Sequence, residues 1–391
     1  MAEGLKPELW TTSSNSALKL SLVNDENAVQ FSPTFTYPIF GQAEQIFGYQ
    51  DLNLLLAFDS VTFKPFLNVK YSKKLERGMD DVEGSLLKFL PEGDVILKDE
   101  VKWVDSFTAE REKFHLPNSE LKVAEYTCGE ESFAIYKVHL SDSNIRQLHR
   151  RMQIFTLLFI EAASYIDEKD SSWDIFMTFN TSTRQCIGYT TTYKHWRYIN
   201  GQEFDSSEKT TKRAKISQFI IFPPYQSKSH GSHLYSAAID VWFKEEEISE
   251  VTVEDPNEAF DDLRDRCDFM RLSDAGLSNT IPETVPIPQT WLKEHARNYK
   301  LSLGQFTRLV EMILLYDESP NFEMQVKARL YQKNHEVLAG MDMDTTKAKL
   351  QEAFTSLQED YARVLQRVPN KRRVLPNTEA NAGESKRHKK E

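Results

Sequence analysis

Glu254 and Asp255 stand side by side at the end of a short apolar run, downstream of a polar loop, QSKSHGS at 226–232. A carboxylate at a strand end inside a cleft can take a proton from a substrate, directly or through water. A polar loop that opens a helix offers unpaired backbone N–H groups at the positive end of the helix dipole, where phosphate groups bind. Gly231 permits close backbone approach at that point. The loop is neither a GxxxxGK[ST] phosphate loop nor a GxGxxG dinucleotide turn, so the bare pattern specifies phosphate binding without naming a cofactor. A third carboxylate, Glu161, interrupts an apolar neighbourhood far upstream.

Elements must position these groups. Residues 216–268 read as an apolar strand, a kink at Pro223-Pro224, the loop, an amphipathic helix and a short strand ending in Glu254 and Asp255. Glu161 falls in a long predicted helix that begins after Ser141, Asp142 and Ser143. Its apolar positions Ile145, Leu148, Met152, Phe155, Phe159, Ala162 and Ile166 follow three- and four-residue steps. Glu161 either lies on the solvent side of that stripe, or paired with Arg150 or Arg151, or it is a carboxylate with a raised pKa beside a site. Further strands are expected at 17–23, 52–58, 66–71, 133–140, 173–180 and 186–198. The aromatic segment 35–50, with turn points at Gly41 and Gly48, lines a cleft or packs on its own core. From Ser302, which opens a capping box with Gln305, three helices are expected to the neighbourhood of Leu365.

Hydrophobic residues make up 40% of the 391 and aromatics 12%, a composition that folds around a large core and leaves room for two or three domains. The net charge is −11, although the tail 371–391 holds seven Lys/Arg against three Glu. An acidic body argues against nucleic acid, whose binding relies on neutralising phosphates. It suits a basic partner, through electrostatic steering. Cys128, Cys186 and Cys267 are too few and too scattered for a disulfide framework or a zinc site. The opening MAEGLKPELW lacks a signal-peptide core, and the most apolar run, 154–163, is too short to span a bilayer. A soluble intracellular protein, without metal or membrane contact, is the expectation.

The order strand, Q-x-x-x-x-G loop, helix, strand resembles the acetyl-CoA-binding core of the GNAT acetyltransferases, whose loop motif is Q/R-x-x-G-x-G/A. The segments FSPTFTYPIFGQAEQIFGY, RRMQIFTLLFIEAASYID, RAKISQFIIFPPYQ and EVTVEDPNEAFDDLRDR are similar to the fungal form of the type B histone acetyltransferase catalytic subunits, and the similarity runs from about residue 5 to 365. The resemblance implies an α+β fold in which a GNAT core at 126–272, a mixed twisted sheet flanked by helices, follows an N-terminal α/β domain at 1–125. A C-terminal helical domain at 283–366 and a basic, disordered tail at 367–391 complete it. The implied enzyme transfers acetyl directly from acetyl-CoA, in a ternary complex, to tail lysines of newly made histone H4, chiefly its fifth and twelfth residues. Glu254 is then the general base, with Glu161 and Asp255 in support. The backbone of Phe219, Ile220 and Ile221 would hold the pantetheine arm. Gln226, Ser227, Lys228, Ser229, His230, Gly231 and Ser232 would cradle the pyrophosphate, and Asn257 and Arg266 would contact the rest of the cofactor. The histone tail would lie against Gln42, Ala43, Glu44, Trp173, Tyr193, Lys194 and His195.

Implied partners are a WD-repeat histone-binding subunit and histone chaperones, with residence in cytoplasm and nucleus. The clusters at 371–373 and 386–390, twelve residues apart, form a bipartite import pattern. One position departs from the motif: Ser229 stands where the family has its first glycine, and a glycine-only conformation there would strain the loop by ~1–2 kcal/mol. Two other readings stay open at this point: a GNAT enzyme acting on another protein or amine, and a non-catalytic histone escort.

Overall fold

The alternating runs become strands within one or two residues of their expected places. In the computed structural model, which describes residues 6–198, 201 and 211–368, the N-terminal part is built on a five-stranded sheet. Its strands are β1 (Leu18–Val23), β2 (Ala28–Phe31), β3 (Asn53–Asp59), β4 (Pro65–Lys70) and β5 (Ile96–Leu97), in the order β2-β1-β3-β4-β5. Helix α1 (Glu100–Lys113) starts where the Asp99 carboxylate accepts from Lys102 N–H at 3.0 Å, and it stacks Trp103 on Phe66 of the sheet. The import clusters of the tail and most of the polar segment 200–215 lie outside the described residues.

The second sheet holds the site. It runs β6 (Lys122–Cys128), β7 (Glu131–Val138), β8 (Trp173–Asn180), β9 (Cys186–Trp196), β10 (Lys212–Ile221) and β11 (Ile248–Val253) in that order. All neighbours are antiparallel except β10 and β11, which are parallel. A parallel pair needs a crossover, and helix α4 (His230–Lys244) supplies it; α2 (Ser143–Met152) and α3 (Ile154–Phe159) come earlier in the chain. Leu234, Tyr235, Ala238 and Trp242 of α4 bury against Phe176, Ile187, Ala214 and Ile216. The C-terminal end of α4 is closed by Lys300, whose ammonium donates to the carbonyls of Trp242, Phe243 and Glu245 at 2.9, 3.1 and 2.8 Å.

On the opposite face, one apolar core joins Leu20, Leu54 and Phe58 of the first sheet to Met152, Phe155, Ile220 and Phe222. The boundary expected at residue 125 therefore does not separate two cores. The chain divides elsewhere: one compact unit runs to Cys267 and includes Ile287–Arg308, and the other takes Asp268–Pro286 and the described residues from Leu309 onward. The expected helical domain at 283–366 thus loses its first part to the core unit, where Val251 N–H of β11 donates to Lys300 O at 2.7 Å. The division falls within helices α5 (Glu258–Asp274) and α7 (Leu303–Tyr316), on either side of α6 (Gln289–Asn298).

In the second unit, α8 (Phe322–Lys333) and α9 (Met343–Leu365) pack through Phe322 and Phe354, with ring centroids 5.5 Å apart. Glu311 is fully buried there and is paid for by a two-pronged Arg329 contact and the Tyr361 hydroxyl. No helix among the described residues is long and apolar enough to cross a membrane.

Candidate active site

The parallel pairing of β10 with β11 runs from Lys212 and Ile248 to Ile216 and Val253, and Glu254 N–H closes it by donating to Ile216 O at 2.9 Å. Strand β10 continues for five more residues, 217–221, paired with β9 alone. A length of strand edge is left open on the β11 side, beginning beside Glu254. The register of β9 and β10 shifts between Thr191 and Thr192, so Ser217 is an extra residue, a bulge. A bulge bends its strand and re-aims side chains; here it brings Ser217 Oγ to 2.6 Å from Glu254 Oε2.

Glu254 itself is 41% exposed, with the Lys215 ammonium at 3.6 Å. Asp255 is exposed and has a φ of 35°, a local kink just before Pro256. Glu161 does not sit on a helix. The expected single helix gives way to α2 and α3, α3 ends at Phe159, and Glu161 is exposed in the turn that follows, where Ala162 has φ 57°. Periodicity misled here because five of the six α3 residues are buried, and a segment buried on all sides has no face for a period to mark. The turn is tied down twice. Ala162 N–H donates to the Tyr37 hydroxyl at 2.6 Å, and Gln218 Nε2 of β10 donates to Ser164 O at 2.7 Å. Those bonds bring the Glu161 turn, the segment around Tyr37 and the open edge of β10 into one neighbourhood.

The loop 226–229 is built from backbone. Ser227 and Ser229 both have left-handed φ, 62° and 64°, and turns of this kind gather N–H groups into an anion-binding concavity. The first N–H groups of α4 follow directly, and these have no intrahelical partner. Gln226 turns its amide inward, donating to Ile221 O at 2.8 Å, so its side chain fastens the loop to the strand end. His230 is buried, with Nδ1 2.7 Å from the Tyr126 hydroxyl and its ring against Phe133; burial lowers its pKa. It can offer the loop only its backbone. Lys228 and Ser229 are exposed, and Ser232 half-buried. Gly231 has a packing use beside close backbone approach: an added Cβ would meet Leu263 Cδ1 at 2.8 Å, with Phe219 and Ile221 just behind, so the glycine also lets α4 pack against α5 and the sheet. Asn257 caps α5, its Oδ1 accepting from Phe260 N–H at 2.9 Å. Arg266, on α5, has a buried Nη1 with no hydrogen-bond partner among the described residues, a donor suited to an anionic group.

On the strands beside Glu254, Trp173 of β8 packs edge-on against Tyr193 of β9 at 5.0 Å, and Lys215 of β10 lies over the Tyr193 ring at 5.5 Å. Trp173, Tyr193 and Lys215 thus follow one another across three adjacent strands, and Glu254 continues the row just past the end of β11. His195 continues the row from Tyr193 at 5.6 Å, its pKa lowered by burial and by Lys215 and Arg213. Lys194 faces the other way, as alternation requires; its ammonium pairs with Glu245 and lies 3.6 Å from Glu247. Gln42 and Ala43 are exposed, whereas the Glu44 carboxylate is used within its own loop. It accepts from Thr36 N–H at 2.6 Å, Tyr37 N–H at 3.0 Å and Asn15 Nδ2 at 2.7 Å, and those bonds lower its pKa.

With this geometry in place, the relatives are informative. A protein of Eremothecium gossypii named histone acetyltransferase type B catalytic subunit is 89% identical over 391 residues, covering all of both chains. Proteins of the same name from Kluyveromyces lactis and Candida glabrata are 53% and 51% identical, covering 98% and 93% of this chain and 98% and 94% of theirs. The chain belongs to the family of type B histone acetyltransferase catalytic subunits. Family models described as "Histone acetyl transferase HAT1 N-terminus" and "Fungal HAT1, C-terminal" match residues 10–161 and 265–319. The chain is accordingly an enzyme of the acetyltransferase class, with the α+β fold expected of it.

Ser217 and Lys215, which contact Glu254, and Gln218 and Tyr37, which bond to the turn after α3, are neighbours of the candidate residues that sequence reasoning did not single out. A signal for the bulge was present. Ala214 and Ile216 face α4, yet so do Phe219 and Ile221, so the period-2 pattern slips by one residue between 216 and 219, and a slip inside one strand means an extra residue.

Proposed function

We propose that this enzyme transfers acetyl from acetyl-CoA to lysines in the N-terminal tail of histone H4, chiefly the fifth and twelfth residues, with Glu254 as general base in a ternary complex. The observation that carries the reading is the Glu254 carboxylate, held by Ser217 at 2.6 Å where β11 ends and the open edge of β10 begins. An extended pantetheine arm is chemically matched to such an edge, because its amides can pair with strand backbone as a further strand would. The N–H groups of the loop 226–232 suit the pyrophosphate, and the unpartnered Arg266 Nη1 suits a remaining anionic group.

A lysine side chain with a pKa near ~10.4 is protonated at neutral pH and must lose a proton before it attacks. Glu254 accepts that proton, directly or through water, with Asp255 and Glu161 at the same opening in support. The amine nitrogen then forms its bond to the thioester carbonyl carbon, the carbon–sulfur bond breaks, the nitrogen sheds its second proton, and coenzyme A takes that proton up and leaves as the thiol. A backbone N–H of β10 can hold the carbonyl oxygen as negative charge gathers on it. The row Trp173, Tyr193, His195, with the backbone of Gln42, Ala43 and Glu44, offers the extended peptide an aromatic bed; the Glu44 carboxylate shapes that loop from inside. A WD-repeat histone-binding subunit and histone chaperones are the proposed partners, and cytoplasm and nucleus the proposed locations.

The test is acetylation of the free H4 tail peptide, mapped by mass, by the wild type and Glu254→Gln. The variant is expected to lose on the order of 10²–10⁴ in kcat with acetyl-CoA affinity unchanged. Near-normal turnover of the variant would move the base role to Glu161 or Asp255. Equal transfer to unrelated amines would move the substrate class, and tail binding without saturable acetyl-CoA binding would leave a histone escort.

A further inference from the structure

Gln218 is the first residue after the bulge, next to the serine that holds Glu254. It is 4% exposed and bonded on several sides. Its backbone N–H donates to Thr191 Oγ1 at 3.2 Å, its carbonyl accepts from Thr190 Oγ1 at 2.7 Å, and its Nε2 donates to Ser164 O at 2.7 Å. Its Oε1 is buried and has no partner among the described residues. A buried polar atom left idle costs stability, whereas an apolar side chain of the same shape would fill the space without that cost. Packing therefore does not account for an amide here. The bond to Ser164 does, because that carbonyl belongs to the turn which carries Glu161, while Ser217 beside Gln218 carries the contact to Glu254.

We infer that Gln218 is a positioning residue for acetyl transfer: its amide holds the turn 161–164 against the open edge of β10, so that Glu161 and Glu254 serve one opening. The inference rests on the proposed base role of Glu254. Tyr37 is the second support of the same turn, through its hydroxyl and Ala162 N–H. Gln218→Met keeps the length of the side chain and removes the donor. Gln218→Glu keeps the shape and sets a carboxylate against the Ser164 carbonyl.

Both variants are expected to lower kcat by on the order of 10²-fold, as a small misplacement of catalytic groups does. The KM for acetyl-CoA should stay within about twofold, because neither bond reaches the cofactor loop, an expectation of uniform cofactor binding with a transition-state loss. The acid limb of the kcat–pH profile should move, and amide hydrogen exchange at 161–164 should rise. Tyr37→Phe should act in the same direction, and the double variant should be less than additive, since both bonds place one turn. A Gln218→Met protein with lower melting temperature but wild-type kcat, pH profile and exchange at 161–164 would overturn the inference. Should the wild type itself transfer no acetyl to the tail peptide, the proposed function falls instead, and unchanged exchange at 161–164 in Gln218→Met still overturns the positioning role.

Discussion

Ser229 sits at φ 64° and ψ 3° just before α4, in the left-handed region that a serine enters at a cost of about 1 kcal/mol. That region is narrow for a side chain but open to it, unlike the conformations that only glycine reaches. Serine at this position thus carries a modest strain. The loop already holds this conformation, so Ser229→Gly should release the strain and leave acetyl-CoA affinity within about twofold, measured by calorimetric titration. A loss of affinity would show that the hydroxyl contributes a contact of its own. Stability should change little, because glycine's larger unfolded-state entropy offsets the relief. Among single residues, Glu254 was legible in the sequence, since tandem carboxylates closing an apolar run can be placed at a strand end. Glu161 was legible as an anomaly but was put on the wrong element. Ser217 and Gln218 were not singled out, because their importance comes from a bulge that shows only as a slip in alternation.

At the scale of elements, strands were read more accurately than helices. Half-buried strands announce themselves by alternation, whereas the edge strands β2 and β6 expose too much of their length to do so. Helices α5 and α6 went unassigned, and the capping box of α7 is only half made. Gln305 N–H donates to Ser302 Oγ at 3.3 Å, but the Gln305 side chain leaves to donate to Asp265 at 2.9 Å. Tertiary contact won over local reciprocity. The same priority governs Gly231, whose missing Cβ leaves room for Leu263, Phe219 and Ile221. Gly231→Ala should force the Leu263 methyl to shift at the junction of α4, α5 and β10, at a cost of up to about 1 kcal/mol, lowering the melting temperature by roughly 2–4 °C per kcal/mol. It should also weaken acetyl-CoA binding, as the start of α4 shifts. An unchanged melting temperature would mean that Leu263 swings clear and that the glycine serves the ligand instead.

The whole molecule shows a dependence that no single element reveals. Because the first sheet and the second share one core, the helix α2 is enclosed on both sides, and His149 within it is 2% exposed. The sequence marks His149 only as a polar position next to Leu148 in an apolar stripe, since burial depends on a sheet some forty residues downstream. Its ring packs edge-on against Tyr189 of β9 at 5.4 Å, and its Nε2 has no hydrogen-bond partner among the described residues. Burial lowers its pKa from 6.5 to about 4, the Glu168 charge opposing only weakly. In the folded chain His149 is therefore neutral down to about pH 4, while in the unfolded chain it takes up a proton below about pH 6.5. Between those values the unfolded state binds more protons, so stability falls as the pH falls. The full loss, reached near pH 4, is about 3 kcal/mol, and the slope cannot exceed ~1.4 kcal/mol per pH unit for one proton. His149→Gln cannot titrate. Its unfolding free energy, followed by urea denaturation at a series of pH values, should decline less steeply than that of the wild type between about pH 6 and 4.5. Carboxylates bonded in the fold, such as Asp94 with Arg151 and Lys64, lose their protective charge at lower pH and contribute equally to both proteins, so the difference between the curves isolates the histidine. Parallel curves would mean that His149 is protonated inside the fold, with water or an anion reaching Nε2, and that the shared core is more open there than its packing shows.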